Sequence, residues 1–117
     1  MQLKLIPAAV FVAAALAFPA CAQAQSWSGK ASYYSMGGRT ASGVRHDPGK
    51  MTAAHRTAAF GTQLKVTNLT NKRTTIVTVT DRGPFIRGRV IDVSTRAADV
   101  LGFRRAGVVS VLVETMK

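Results

Sequence analysis

Residues 63–81 read QLKVTNLTNKRTTIVTVTD, and this stretch decides the fold class. In an extended chain Leu64 and Val66 fall on one face, while Gln63, Lys65 and Thr67 fall on the other. Thr70-Asn71 then supplies turn chemistry, and residues 73–80 (RTTIVTVT) are dominated by β-branched side chains, so 63–80 reads as a hairpin. In its second strand Thr75, Val77 and Val79 share a face. Period two carries Asp81 onto that same face, just where DRGP breaks the strand. An acidic side chain thus continues an apolar row.

Outward from the hairpin, further short strands are predicted over 31–34, 89–93 and 108–113 (VVSVLV). Residues 25–29 (QSWSG) are a polar lead-in. Residues 35–50 (SMGGRTASGVRHDPGK), rich in Gly, Ser and Pro, read as a long functional loop. Ser94 can cap a helix over STRAADVL, and Gly102 can end it. There is no internal repeat, low-complexity tract or second domain. Many short strands with one short helix predict an all-β domain, a small closed barrel rather than a sandwich.

The first 24 residues stand apart. After Lys4, residues 5–18 form an uncharged apolar run, followed by PACAQAQ. The run is too short to span a bilayer, and Ala22-Gln23-Ala24 fits a signal-peptidase site, so residues 1–24 read as a secretory signal and 25–117 as the mature domain. Ala20-Cys21 allows a second reading, lipidation of Cys21, and only that would attach the chain to a membrane. Neither route leaves a cysteine for an internal disulfide. Without Lys4 the chain carries fifteen basic and five acidic side chains, a net charge of +10. Such a balance usually suggests nucleic acid, but export to the periplasm or cell envelope offers anionic wall polymers instead, and no nucleic-acid partner is expected.

Five carboxylates remain in the mature part: Asp47, Asp81, Asp92, Asp99 and Glu114. Glu114 lies near the C-terminal end, and Asp99 falls on the exposed side of the helix. Asp92 sits within a strand beside Arg89 and Ser94, where a hydrogen-bonded structural role is the first reading. Asp47 precedes Pro48 and suits an Asx-turn. Asp81 differs, because Gly83 and Pro84 hold a tight bend beyond it, Phe85 offers apolar cover and Arg82 adds a cation. Apolar surroundings raise a carboxyl pKa and a guanidinium lowers it, so the sequence leaves the sign open. His55, in TAAH, could hydrogen-bond a sugar or hold the acid, or could simply be a packed histidine; His46 reads as exposed. Trp27, Tyr33 and Tyr34 could stack on sugar rings, with packing an equally good account of the tyrosines. No metal-ligand spacing or phosphate-cradling glycine pattern is present, so no metal and no cofactor is expected.

The segments GKASYYSMGGRTASG, MTAAHRTAAFGTQLKVTNL, TDRGPFIRGRVIDVS and AADVLG…GVVSVLVE, over residues 29–114, resemble the RlpA (rare lipoprotein A) domain. The resemblance implies a six-stranded double-psi β-barrel and a monomeric lytic transglycosylase acting on peptidoglycan glycan strands stripped of stem peptides. It implies Asp81 as the catalytic acid and His55 as the active-site histidine. Tyr33, Tyr34, Thr40, Arg82, Phe85 and Asp47 are then the side chains expected to meet substrate. The family usually has Glu directly after TASG; here that position is Val44, which can neither transfer a proton nor accept a sugar hydroxyl. A wall-binding or wall-loosening module without catalysis, as in expansins, is therefore the rival expectation. The sequence reaches Lys117 without a segment resembling the SPOR domain of many relatives, so septal targeting is not expected.

Overall fold

The computed structural model describes residues 24–34 and 38–116. The expected secretory signal up to residue 23, with Cys21, lies outside the described residues, as do loop positions 35–37. Along the chain come β1 (Ser26–Tyr34), β2 (Gly38–Arg39), β3 (Arg45–His46), β4 (Thr52–Ala54), β5 (Gln63–Asn68), β6 (Thr74–Asp81), β7 (Arg89–Ser94), α1 (Thr95–Leu101) and β8 (Val108–Thr115). Six of them close into a barrel in the order β1-β7-β4-β6-β5-β8, and β8 returns to β1. The pairs β1–β7 and β4–β6 are parallel and the rest antiparallel. This is the six-stranded double-psi β-barrel that the resemblance implied.

Alternation builds the core. Leu64, Val66, Val77, Val79, Ile91, Val93, Val111 and Val113 are all fully buried, while their strand neighbours, apart from the buried Ser94, reach the outer surface or its fringe. Burying such a side chain contributes about 1.5–3 kcal/mol, and closure leaves no unpaired edge among the six strands. The expected hairpin is present, with Leu64 opposite Val77 and Val66 opposite Thr75.

The helix forms as its caps predict. Ser94 Oγ accepts from the Ala97 N–H at 3.2 Å, and Gly102 ends the helix at φ 79°. A Cβ at Gly102 would come within 2.7 Å of the Arg73 guanidinium and 2.9 Å of the Asn71 amide, so space as well as backbone conformation favours glycine. Ala97, Ala98 and Leu101 bury the inner face of α1 against the barrel core together with Phe103.

Two local expectations need correction. The 35–50 segment is not all loop, because Gly38 pairs with His46 and Arg39 with Arg45 in a small two-stranded ladder. The strict alternation along β6 also fails at its end. The register slips between Ala53 and Ala54, so Ala54 pairs with Asp81 rather than Thr80. Such a bulge redirects a strand end. Asp81 emerges half-buried at the barrel rim instead of continuing the buried row of Val77 and Val79.

Candidate active site

Asp81 is held by backbone amides. Its Oδ1 accepts the Ala41 N–H at 2.8 Å and the Arg82 N–H at 2.9 Å. The first bond ties the rim to the 40–44 turn, and Ser42 N–H adds a bond to the Thr80 carbonyl at 3.1 Å. Among the described residues Asp81 forms no ion pair; the two present are Arg89–Asp92 and Arg104–Asp99. Arg82 points elsewhere. Its guanidinium donates to the carbonyls of His55 (3.1 Å) and Ala58 (2.7 Å) and lies 4.1 Å from the centre of the Phe60 ring. The cation next in sequence is thus used to hold the 55–60 turn.

On one side of this rim lies a cavity of about 390 Å³ lined by Val44, Arg45, His46, Asp47, Pro48, Lys50, Thr52 and Thr80. Tyr34 stacks on His46, with ring centroids 4.5 Å apart and planes at 23°. The Tyr34 hydroxyl is buried without a hydrogen-bond partner, and its pKa is pushed up to about 12, first by burial and then by the negative charges of Asp81 and Asp92. The nearby Thr80 hydroxyl opposes this shift, although the two oxygens do not reach an acceptable hydrogen-bond geometry. His46 is buried, at 7% exposure, which corrects the expectation of an exposed histidine.

His55 faces a different cavity, about 250 Å³, with Trp27, Arg56, Thr57 and Val90. Its Nδ1 accepts the N–H groups of Thr57 (3.2 Å) and Ala58 (3.0 Å), so the neutral ring carries its proton on Nε2. Trp27 meets the ring edge-on at 4.3 Å. Burial, followed by the positive charges of Arg56 and Arg82, lowers its pKa below the usual histidine value. The link from His55 to Asp81 runs through the backbone: the His55 N–H donates to the Asp81 carbonyl at 3.1 Å.

The remaining expected contacts divide. Thr40 is buried and spends its hydroxyl on the Val44 carbonyl at 2.7 Å, which shapes the turn beside Asp81. Asp47 makes the Asx-turn, accepting from the Gly49 N–H at 2.9 Å on the cavity wall. Phe85 is 77% exposed, so it cannot supply the apolar cover expected for Asp81. Tyr33 is not brought to the site: neighbours on a strand diverge, and its hydroxyl donates to the Arg104 carbonyl at 3.0 Å beside Phe103. Asp92 accepts from the Ser32 hydroxyl and lies 3.7 Å from Arg89, a structural arrangement. His46, Thr52, Thr80 and the Ala41 amide, none of them singled out from the sequence, come together only through the fold; no local motif marks them. Among the described residues no cluster of three or more His, Cys, Asp or Glu side chains could hold a metal.

Comparison with known proteins agrees with this architecture. A family profile described as "Lytic transglycolase" matches residues 26–113. Curated relatives include a probable endolytic peptidoglycan transglycosylase RlpA of Nostoc sp., 52% identical over 78% of this chain and 26% of the relative. Another is the endolytic peptidoglycan transglycosylase RlpA of Vibrio cholerae, 45% identical over 76% of this chain and 35% of the relative. The chain therefore spans about a quarter to a third of the length of these two proteins. Among solved structures, a Streptomyces papain inhibitor superposes with a TM-score of 0.67 at 27% identity, covering 80% of this chain and 96% of that one. A Clavibacter michiganensis expansin superposes with a TM-score of 0.63 at 26% identity, covering 80% of this chain and 51% of that one. A match running from the first barrel strand into the last makes this chain a member of the lytic transglycolase family.

Proposed function

We propose that this chain cleaves the MurNAc–GlcNAc bond of peptidoglycan glycan strands, with Asp81 acting first as acid and then as base. The observation that carries the reading is the carboxylate itself: one oxygen is fixed by two backbone amides, and no cation is paired with it among the described residues. Protonated Asp81 gives its proton to the glycosidic oxygen as the bond from C1 breaks. The C6 hydroxyl of the same MurNAc ring closes on C1, and Asp81 takes up the proton that this hydroxyl loses. No water is consumed, and the product is a 1,6-anhydro end. Because the nucleophile is tethered, its effective concentration can reach about 10⁵ M or more, so a single carboxyl can serve both steps without a Glu at position 44.

In this reading His55 is a positioning residue, holding through its ring the turn on which the Arg82 guanidinium and the Asp81 carbonyl are anchored. Export, strands without stem peptides and a monomeric enzyme belong to the same proposal. The relatives' printed names and the strongly basic composition, suited to an anionic wall, support it. Incubation with amidase-stripped glycan strands, followed by mass spectrometry, should yield anhydro-ended fragments that disappear in Asp81→Asn.

Val44 favours a second reading. It stands 56% exposed on the cavity wall, an apolar group where an acid would be expected. A module that binds or loosens wall glycan without cutting it would bind the strands and release no fragments. One neighbouring structure is an expansin mutant in complex with cellohexaose.

A further inference from the structure

The end of the barrel away from Asp81 is built from two turns that the proposed chemistry does not use. Residues 69–73 join β5 to β6, and residues 102–107 join α1 to β8. The two are locked together. Side-chain amides of Asn68 and Asn71 both donate to the Leu101 carbonyl, at 2.9 and 3.0 Å, and the Arg73 guanidinium lies against Gly102. Lys72, Arg73, Arg104 and Arg105 are all exposed on this end. Among the described residues of 68–74 and 99–108 the single carboxylate is Asp99, and Arg104 pairs with it at 2.7 Å. Arg73 suits the C-terminal end of α1, but neither Lys72 nor Arg105 enters an ion pair among the described residues. Lys72 also stands at φ 67°, the one non-glycine at positive φ among the described residues, where glycine would be less strained. A cation is kept where the backbone would be easier without a side chain. Leu69, Val100 and Val108 stand exposed on the same segments. From this arrangement we propose that the end of the barrel opposite Asp81 docks on an anionic lipid surface.

The mixture of side chains selects this partner. Cations meet head-group phosphates, while aliphatic side chains between them enter the boundary of the acyl region. A soluble polyanion would use the cations and leave Leu69, Val100 and Val108 in water, and a neutral polymer would leave the cations unmatched. The opposite rim suits such a surface less, because it carries Asp47 and Asp81, which negative charge repels. Orientation follows from the length of the barrel. β6 runs eight residues from this end to Asp81, about 23 Å at about 3.3 Å per residue. Surface charge is screened over about 8 Å at physiological salt, so docking leaves the Asp81 carboxyl unperturbed and turns the rim away from the bilayer. This attachment needs no lipid on Cys21 and stands whether or not Asp81 cleaves glycan.

The test uses the chain from Gln25 onward, which carries every strand of the closed barrel and excludes the apolar run of residues 5–18. It is sedimented with mixed phosphatidylglycerol–phosphatidylcholine vesicles and with phosphatidylcholine alone. Binding should require the anionic lipid and fall as salt rises. Lys72→Gly with Arg105→Gln suits the turn and breaks no ion pair, and it should lower affinity by about 25-fold, about fivefold for each cation. Arg105→Gln alone, at about fivefold, decides the case should the double variant fail to fold by circular dichroism. Lys65→Gln with Arg87→Gln removes the same charge elsewhere and should change affinity by less than about twofold. Val108→Thr keeps a β-branched side chain of similar size and should weaken vesicle binding while leaving binding to soluble polyphosphate as it was. Absence of binding to the mixed vesicles, or equal losses in the two double variants, would overturn the proposal. So would polyphosphate binding tighter than vesicle binding with Val108→Thr silent, which would make this end a face for wall polymer.

Discussion

Asp81→Asn separates chemistry from architecture more sharply than any other single change. Both amide bonds to the side chain, from Ala41 at 2.8 Å and Arg82 at 2.9 Å, end on the same oxygen. The carbonyl oxygen of asparagine can accept both, so the 40–44 turn and the strand end keep their connection. What is lost is the charge on the acceptor. Hydrogen bonds to charged groups contribute about 1.5–3 kcal/mol and neutral ones about 0.5–1.5. Two bonds to a half-exposed, solvent-screened carboxylate therefore cost about 1 kcal/mol when neutralised. For a domain of this size that lowers Tm by about 4–8 °C. Catalysis should fall much further. General acid–base transfer contributes about 10²–10⁴-fold, and here one group serves both proton transfers, so a loss of about 10³-fold or more is expected. Release of anhydro-ended fragments and thermal unfolding followed by circular dichroism measure the two effects. Retention of turnover within about tenfold of the parent would refute the assignment, because an amide cannot deliver the proton.

Ser94→Ala should lower stability by about 2 kcal/mol. It removes the helix cap at Ala97 and the bond that Ser94 Oγ donates to the Lys50 carbonyl at 2.6 Å, so denaturant unfolding should report the loss. Lys50 and Thr52 flank that contact on the cavity wall, and glycan affinity should weaken as well. Val44→Glu places a carboxylate on an already exposed wall position, so unfolding should change by less than about 0.5 kcal/mol, while turnover on glycan strands should rise. His55 makes stability depend on pH. Its folded pKa lies below the ordinary histidine value, so the unfolded chain binds the proton first as pH falls. Its contribution is complete above about pH 6.5 and is lost on acidification through the lowered folded pKa. The slope below about pH 6.5 should flatten in His55→Phe, measured by urea unfolding as the pH is lowered.

Much of this protein was legible where a signal repeats along the chain. The alternation in 63–80 correctly placed Leu64, Val66, Val77 and Val79 in the core, because period two is a property of the extended backbone itself. Ser94 and Gly102 correctly bounded α1, since capping chemistry acts within a few residues. The Asx-turn at Asp47 was readable for the same reason. The alternation misled at Asp81, where the bulge against Ala54 depends on β4, a strand nearly thirty positions away that no local pattern registers. His46 was read as exposed because its burial comes from stacking on Tyr34, a contact across twelve residues of sequence. Phe85 looked like cover for the acid, yet the bend at Gly83 and Pro84 leaves it in solvent.

The class of fold, most of its strands, its helix, the family resemblance and the acid to examine were all readable in the chain before folding, because propensity, periodicity, capping and a contiguous motif act over short stretches of chain. Folding was needed to show that Arg82 serves the 55–60 turn rather than Asp81, that His55 reaches Asp81 through the backbone, and that His46, Thr52 and Thr80 share one cavity wall with Tyr34 stacked on His46. Barrel closure sets these relations. It brings strands distant in sequence to neighbouring positions about 4.8 Å apart, and the direction each side chain then takes depends on registers that no single strand contains.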